Sequence, residues 1–263
     1  MILWVDGDHD PAENMRRDTS LLAAAERGAA PVLRLFGFRP WGITLGHGQR
    51  AEHALDLARC AADRVPWVAR PTGGRAIFHA QEWTFSLAAP LDHAAWGGSA
   101  GEAYARLATV IAGALRRLGV PVELARRQPR APGDRGAAAA AACFAASGRH
   151  EILAHGRKLV GLAQRRTRWA LLQQGSILLG PGHLRLADYV AAGEAERAML
   201  RRNLALVTSI ASEWLPEAVS SRAWADAVAA ELPPDLERRE GEEGRYLLAL
   251  GQSGSYTALD FAS

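Results

Sequence analysis

Arg70-Pro71-Thr72-Gly73-Gly74-Arg75-Ala76-Ile77-Phe78-His79 is the stretch on which the reading of the chain turns. Trp67 to Arg70 has strand character and stops at Pro71, which has no amide proton for a ladder. Thr72-Gly73-Gly74 reads as a turn, and Ala76 to His79 resumes β character. Paired glycines let backbone amides approach an anion or an acyl group closely. Arg70 and Arg75 add charge there, and Thr72 adds a hydroxyl. A plain basic β-turn would read the same way, so the flanking sequence has to decide.

On the N-terminal side, Asn14 to Arg27 predicts a helix with Met15, Leu21, Leu22 and Ala25 on one stripe and Gly28 as its stop. Pro31 to Phe38 and Gly42 to Leu45 predict short strands separated by a turn at Arg39-Pro40, and Glu52 to Arg64 predicts a second helix. On the C-terminal side, Trp83 to Leu87 reads as a strand, and Ser99 with Glu102 has capping-box spacing ahead of a helix through Leu118. Arg126 to Gly148 carries Pro129, Pro132, Gly133, Gly136 and the run Ala137 to Ala142, and is expected to be a long loop. Loops of that length inside a compact domain tend to be functional. Glu151 to Ala154, Arg157 to Gln164 and Trp169 to Leu179 read as a three-stranded meander with His155-Gly156 as its first turn. After Gly182 the pattern turns helical, from Leu184 to Leu206 and from Ala223 to Leu232, and Glu237 to Arg245 reads as a charged, exposed stretch. With no repeat and no flexible linker, the expectation is a single α+β domain over residues 1–263. It would hold a mixed sheet with flanking helices, and residues 183–263 would be a helical C-terminal extension.

Composition narrows the function. A chain of 263 residues with 49% hydrophobic and 22% charged residues is ordinary globular material, not a disordered one. No apolar run approaches the ~18 residues of a membrane span. Met1 to Val5 run straight into Asp6, Asp8 and Asp10 with no basic region before them, so no secretory signal and no membrane are expected, and the cytosol is the default compartment. A net charge of +3 favours acidic partners. The arginine pairs are scattered without an aromatic stacking stripe, so no nucleic acid is expected. Two cysteines cannot build a disulfide framework, and there is no CxxC, HExxH, Walker A or GxGxxG, so no metal, nucleotide or other cofactor is expected. Gly97-Gly98-Ser99-Ala100-Gly101 matches the GxSxG elbow of serine hydrolases. That elbow needs a strand directly before it, yet Pro90, Asp92 and His93 precede this one. Helix capping accounts for Ser99 more simply.

Two residues are candidates for reactive chemistry, although most lone cysteines are structural and a single lysine can be a survivor of coding bias. Of 31 basic residues, Lys158 is the single lysine, a compact ammonium in a chain that otherwise uses arginine. Cys143 sits among small residues at the end of the Pro/Gly loop, with Lys158 and His150 within a strand or two as cations that could favour its thiolate. Cys60, in an amphipathic helix, reads as core. Gly156-Arg157-Lys158-Leu159-Val160-Gly161 places the lysine on a strand after a turn. Gln173-Gln174-Gly175-Ser176 places polar side chains and a glycine in an apolar strand, a sign of a ligand or a close backbone approach.

Five blocks occur in order: Asn14-Met15 with Asp18, Leu45-Gly46 with Gln49, Arg70 to His79, Cys143-Phe144, and Gly156 to Gln164 followed by Leu172 to Ser176. In these the chain resembles the lipoate–biotin protein ligase superfamily and, within it, the cysteine-dependent octanoyltransferases. The resemblance implies an α+β fold related to the catalytic core of class II aminoacyl-tRNA synthetases. It implies transfer of octanoyl from octanoyl-acyl carrier protein to a lysine of a lipoyl-domain protein, typically the glycine cleavage H protein. It assigns Cys143 as the nucleophile that holds the octanoyl group, and Lys158 as the group that lowers its pKa and helps position the acyl carbonyl. Arg70, Thr72, Gly73, Gly74 and His79 would line the acyl site, with Arg75, Gly161, Gln164, Gly175 and Ser176 completing the substrate-binding set. The rival readings are an ATP-dependent lipoate ligase, an amidotransferase between lipoyl domains, and a non-catalytic lipoyl-domain or carrier binding protein.

Overall fold

The computed structural model describes residues 1–125, 151–215 and 219–252. Cys143, His150 and the Pro/Gly-rich stretch expected to be a long loop lie outside the described residues.

β1 (Ile2–His9), α1 (Pro11–Glu26) and β2 (Val32–Phe38) open the chain as a βαβ unit with parallel strands. Asp10 caps α1 by accepting from the Glu13 amide, and Pro11 occupies the first turn, where its missing N–H costs nothing. β3 (Gly42–Leu45), β4 (Trp67–Ala69) and β5 (Ile77–His79) form a small mixed sheet of order β4-β3-β5. β6 (Glu82–Pro90) pairs antiparallel with β2 and with β10 (Ala170–Leu178). Beyond β10 come β9 (Arg157–Arg166), β8 (Ile152–Ala154) and β7 (Val122–Leu124), all antiparallel. β11 (Glu237–Glu240) closes the opposite edge, parallel to β1, so the main sheet has eight strands in the order β11-β1-β2-β6-β10-β9-β8-β7. The expected mixed sheet with flanking helices is what forms.

Each face of the main sheet is covered. α4 (Ala100–Arg117) and α7 (Ser221–Ala229) pack on one face around Leu87, Leu107, Ile111, Leu171 and Trp224. On the other face α1 and α8 (Tyr246–Gln252) bury Trp4, Leu21, Leu22, Leu172 and Leu247. The small sheet builds a second core with α2 (Ala51–Ala54), α3 (Leu57–Ala62), α5 (Leu186–Tyr189) and α6 (Glu194–Val207) around Ile43, Phe78, Tyr189 and Leu204. Cys60 is a buried member of that core, as its helix pattern predicts. No helix among the described residues is long and apolar enough to cross a membrane.

Three expectations change. The helix expected from Glu52 to Arg64 is broken: Leu55 bridges to Val190, the Asp56 amide donates to the Tyr189 carbonyl, and the Asp56 side chain then caps α3. The helix expected from Leu184 to Leu206 is a short 3-10 turn (Pro181–Arg185) followed by α5 and α6, interrupted by Gly193. The charged stretch from Glu237 contributes β11, so the C-terminal part is helical with one strand added. An edge strand tolerates such charge because one side of it faces water. The capping box of α4 forms as read, with Ser99 Oγ accepting from the Glu102 amide and Glu102 Oε2 accepting from the Ser99 amide.

Candidate active site

A pocket opens between the two sheets. Met15 of α1, Phe36 and Phe38 of β2, Ile77 of β5 and Leu162 of β9 give it apolar walls. Thr44, Arg70, His79, Thr84, Gln174 and Ser176 supply the polar lining. An apolar cavity with a few fixed polar groups is the usual form of a small-molecule site. Gly175 shapes it from β10: a Cβ there would lie 2.3 Å from Phe85 Cζ and 2.7 Å from Leu162 Cδ2.

The glycine segment folds back over the end of β3. Arg70 is buried and its guanidinium gathers carbonyls, donating through Nη2 to Gly73 O and Arg75 O at 2.8 Å each and through Nη1 to Thr44 O at 3.2 Å. The Arg70 amide donates to Leu45 O, and the His47 amide donates to Thr72 O. Gly74 has φ +95, a left-handed backbone that glycine adopts without strain. Gly46 permits the approach itself, since a Cβ there would sit 2.0 Å from the Gly74 carbonyl oxygen. Gly73 and Gly74 remain exposed while Thr72 is buried, so the segment presents backbone to solvent and keeps its hydroxyl inside.

That hydroxyl is tied to a charged network under α1. Thr72 Oγ1 donates to Gln174 Oε1 at 2.6 Å, and Gln174 Nε2 donates to Asp18 Oδ2 at 2.6 Å. Asp18 also accepts from Ser86 Oγ and from Arg34 Nη1, at 2.7 and 2.8 Å. Arg34 Nε continues to Asp6 Oδ2 at 2.7 Å, Arg34 Nη2 reaches Asn14 Oδ1 at 2.6 Å, and Arg17 also donates to Asp6. Asp6, Arg17, Asp18 and Arg34 are all buried, and paired carboxylates and guanidinium groups are what make that burial tolerable. The bulge in β1 at Val5–Gly7, with Gly7 at φ +84, interrupts the pairing with β2 beside Asp6.

A second chain runs along the pocket floor. Thr44 Oγ1 lies 2.7 Å from His79 Nε2, and His79 Nδ1 lies 2.6 Å from Glu82 Oε1. Glu82 Oε1 also accepts from Thr84 Oγ1 and Ser176 Oγ, at 2.6 and 3.0 Å. Phe38 stacks on the His79 ring with centroids 3.9 Å apart.

Lys158 is 8% exposed, and its Nζ donates to Glu151 Oε1 at 2.8 Å, so a carboxylate holds the ammonium in place. The β8–β9 register gains one residue on β9 between Lys158 and Val160. Leu159 and Val160 both join the core under α4, and this bulge turns Lys158 to the opposite face, the one that Gly161 and Ala163 share with the pocket. The sheet thus brings Arg70, His79, Gly161, Gly175 and Ser176 together at one cavity, with Thr72 one hydrogen bond away through Gln174. Lys158 stands further along β9 from it, and the Arg75 backbone joins through Arg70. Gln164 does not line the cavity: it pairs with Gln173 across β9–β10, and its Nε2 has no hydrogen-bond partner among the described residues. Cys60 is no substitute nucleophile, because burial, with Asp56 and Asp63 adding to it, pushes its thiol up. Sequence reading missed Thr44, Glu82 and Arg34 as parts of the site. Arg34 had left a signal, a lone cation in the apolar run Val32 to Phe36.

The model of the lipoyl protein ligase A/B catalytic domain matches residues 10–232. The chain is 34% identical to a protein of Kyrpidia tusciae named octanoyltransferase LipM, over 92% of this chain and 93% of that one. It is 31% identical to a Bacillus subtilis protein of the same name over 75% of this chain and 72% of the relative. In fold it is similar to the bipartite lipoate protein ligase of Thermoplasma acidophilum, with a TM-score of 0.68 and 17% identity over 97% of this chain and 93% of that one. It is also similar to a lipoate-protein ligase A solved with ATP, with a TM-score of 0.64 and 17% identity over 94% and 92% of the two chains. The fold is therefore that of a known architecture, and the chain belongs to the lipoyl protein ligase A/B catalytic domain family.

Proposed function

We propose that the protein is an octanoyltransferase of lipoate biosynthesis, acting as one catalytic domain in the cytosol. It would move octanoyl from octanoyl-acyl carrier protein to a lysine of a lipoyl domain, with the glycine cleavage H protein as first acceptor. The observation that carries this reading is the apolar pocket lying directly against the Arg70–His79 segment, in a chain similar over nearly its full length to a protein that bears the octanoyltransferase name.

Cys143 attacks the donor thioester carbonyl as thiolate, the carrier's thiol leaves, and an octanoyl–Cys143 thioester forms. The ε-amine of the acceptor lysine then attacks that thioester, the C–S bond breaks, the departing Cys143 sulfur takes the proton that the nitrogen loses, and the amide results. The first step exchanges one thioester for another and the second runs downhill to an amide, so neither needs ATP. Lys158 supplies the positive charge that favours the Cys143 thiolate, and Glu151 keeps that charge oriented. The octanoyl tail occupies the pocket, where Arg70, Thr72, Gly73, Gly74 and Arg75 hold the entrance and His79, Gly161, Gly175 and Ser176 shape the interior.

The test is transfer to H protein from octanoyl-acyl carrier protein without ATP, set beside free octanoate or lipoate with ATP. Octanoylated H protein in the first tube alone is the expected result. Product only in the second would replace the transferase with an ATP-dependent ligase, and product in neither would favour a binding protein.

A further inference from the structure

Glu82 is the least explained charge in the molecule. Its side chain is 2% exposed, and one oxygen does all its bonding: Oε1 accepts from His79 Nδ1, Thr84 Oγ1 and Ser176 Oγ, while Oε2 is buried with no hydrogen-bond partner among the described residues. Of these neighbours, His79, Thr84 and Ser176 line the pocket, but Glu82 does not. A buried carboxylate with a bare oxygen is costly, and its position one layer behind the wall calls for a reason.

The hydrogens of the chain can be placed by counting donors and acceptors. Arg70 Nη1 lies 3.2 Å from Thr44 Oγ1 and can only donate. Thr44 Oγ1 accepts that hydrogen and has its own to give, and His79 Nε2 lies 2.7 Å away. With the imidazole proton on Nδ1, that nitrogen donates to Glu82 Oε1 and Nε2 accepts from Thr44, so every hydrogen has one acceptor. With the proton on Nε2, a bare Nδ1 would face the carboxylate at 2.6 Å, and Thr44 would receive two donors while its own hydrogen pointed elsewhere. A doubly protonated ring leaves Thr44 in the same position.

We infer that Glu82 is a positioning residue of the pocket: it holds neutral His79 with its proton on Nδ1 and, through His79, Thr84 and Ser176, keeps the donors of the floor turned away from the cavity. The ring stacked on Phe38 at 3.9 Å then shows an apolar face to whatever enters. That functional consequence rests on the octanoyltransferase reading, but the tautomer does not. An aliphatic tail benefits because no donor is left unsatisfied when it displaces water.

Long-range 15N–1H spectra of histidine-labelled protein at neutral pH test the inference, with the His79 signals identified by their loss in His79→Gln. The expected wild-type signature is the Nδ1–H tautomer. Glu82→Leu removes the acceptor and should abolish that signature, with kcat/KM for octanoyl-acyl carrier protein falling about 100-fold, the scale of a misplaced binding group. Glu82→Gln keeps an acceptor oxygen and should restore both the tautomer and most of the turnover. An Nε2–H or doubly protonated His79 in the wild type overturns the inference without any variant. So does an unchanged His79 signature in Glu82→Leu, or loss of that signature with undiminished transfer. Failure of octanoyl transfer in the wild type would instead remove the functional reading, and the tautomer result would stand.

Discussion

At the scale of single residues, the site depends on close approaches that only glycine permits. Gly46 is the clearest: its Cα faces the Gly74 carbonyl so closely that a methyl group would fall 2.0 Å from the oxygen. Backbone, not a flexible side chain, would have to move. Gly46→Ala should therefore lift the glycine segment off β3 and lower kcat/KM at least tenfold, while costing only the ~1–3 kcal/mol typical of overpacking. Parallel denaturant titration and transfer kinetics check this. Full activity in a folded Gly46→Ala would show that the approach is not needed. The Arg70–His79 segment was legible from sequence because arginine, paired glycines and a strand end leave few other uses for such a stretch. Thr44 and Glu82 were not legible. Thr44 is a lone polar residue in an apolar strand whose partners Arg70 and His79 lie 26 and 35 residues away, and Glu82 meets Ser176 of β10 only when the sheet forms, so the chain of hydrogen bonds exists only after folding.

At the scale of elements, local signals held where the element is closed by its own residues. The capping box of α4 is such a case, and it also explains Ser99 without any hydrolase chemistry. Ser99→Ala should lose about 1 kcal/mol of stability with octanoyl transfer unchanged, and loss of transfer in a stably folded variant would reopen the role of Ser99. Elements settled by tertiary contacts misled the sequence reading. Glu52 to Arg64 has a helical pattern, yet Leu55 and Asp56 bond to Val190 and Tyr189 instead. His183 joins two C-terminal elements in the same manner, with Nε2 3.0 Å from Thr208 Oγ1 at the end of α6 and Nδ1 3.3 Å from Gly180 O. Burial pushes its pKa down, with the Gly180 carbonyl and Glu82 opposing. Its folded-state pKa thus lies below the ordinary histidine value of about 6.5. As pH falls through that value the unfolded chain takes up a proton that the folded one resists, so this contribution to stability is complete above it and declines below it. Urea midpoints measured against pH should fall more steeply on the acid side in the wild type than in His183→Gln. Equal slopes would refute the assignment.

At the scale of the whole molecule, two sheets share one cavity, and the strands that line it range from β2 to β10. Residues of three of the five sequence blocks line that cavity, and the order of the blocks did not show their contacts. Composition could announce a mixed α/β core, but it could not announce β11, whose Glu-Arg-Arg-Glu sequence reads as surface until β1 is there to pair with it. The net charge of +3 gives the protein a bias toward an acidic carrier, so the KM for octanoyl-acyl carrier protein should rise several-fold between about 0.05 and 0.5 M salt, where screening shortens to a few ångströms. A flat salt response would detach carrier binding from charge. The covalent step decides more. Intact-protein mass spectrometry after mixing the wild type and Cys143→Ala with octanoyl-acyl carrier protein, without ATP, reads it directly. A single octanoyl adduct on the wild type alone, discharged by added H protein, is the predicted result. An adduct that persists in Cys143→Ala, or wild type that transfers octanoyl while never carrying it, would contradict the acyl-cysteine route.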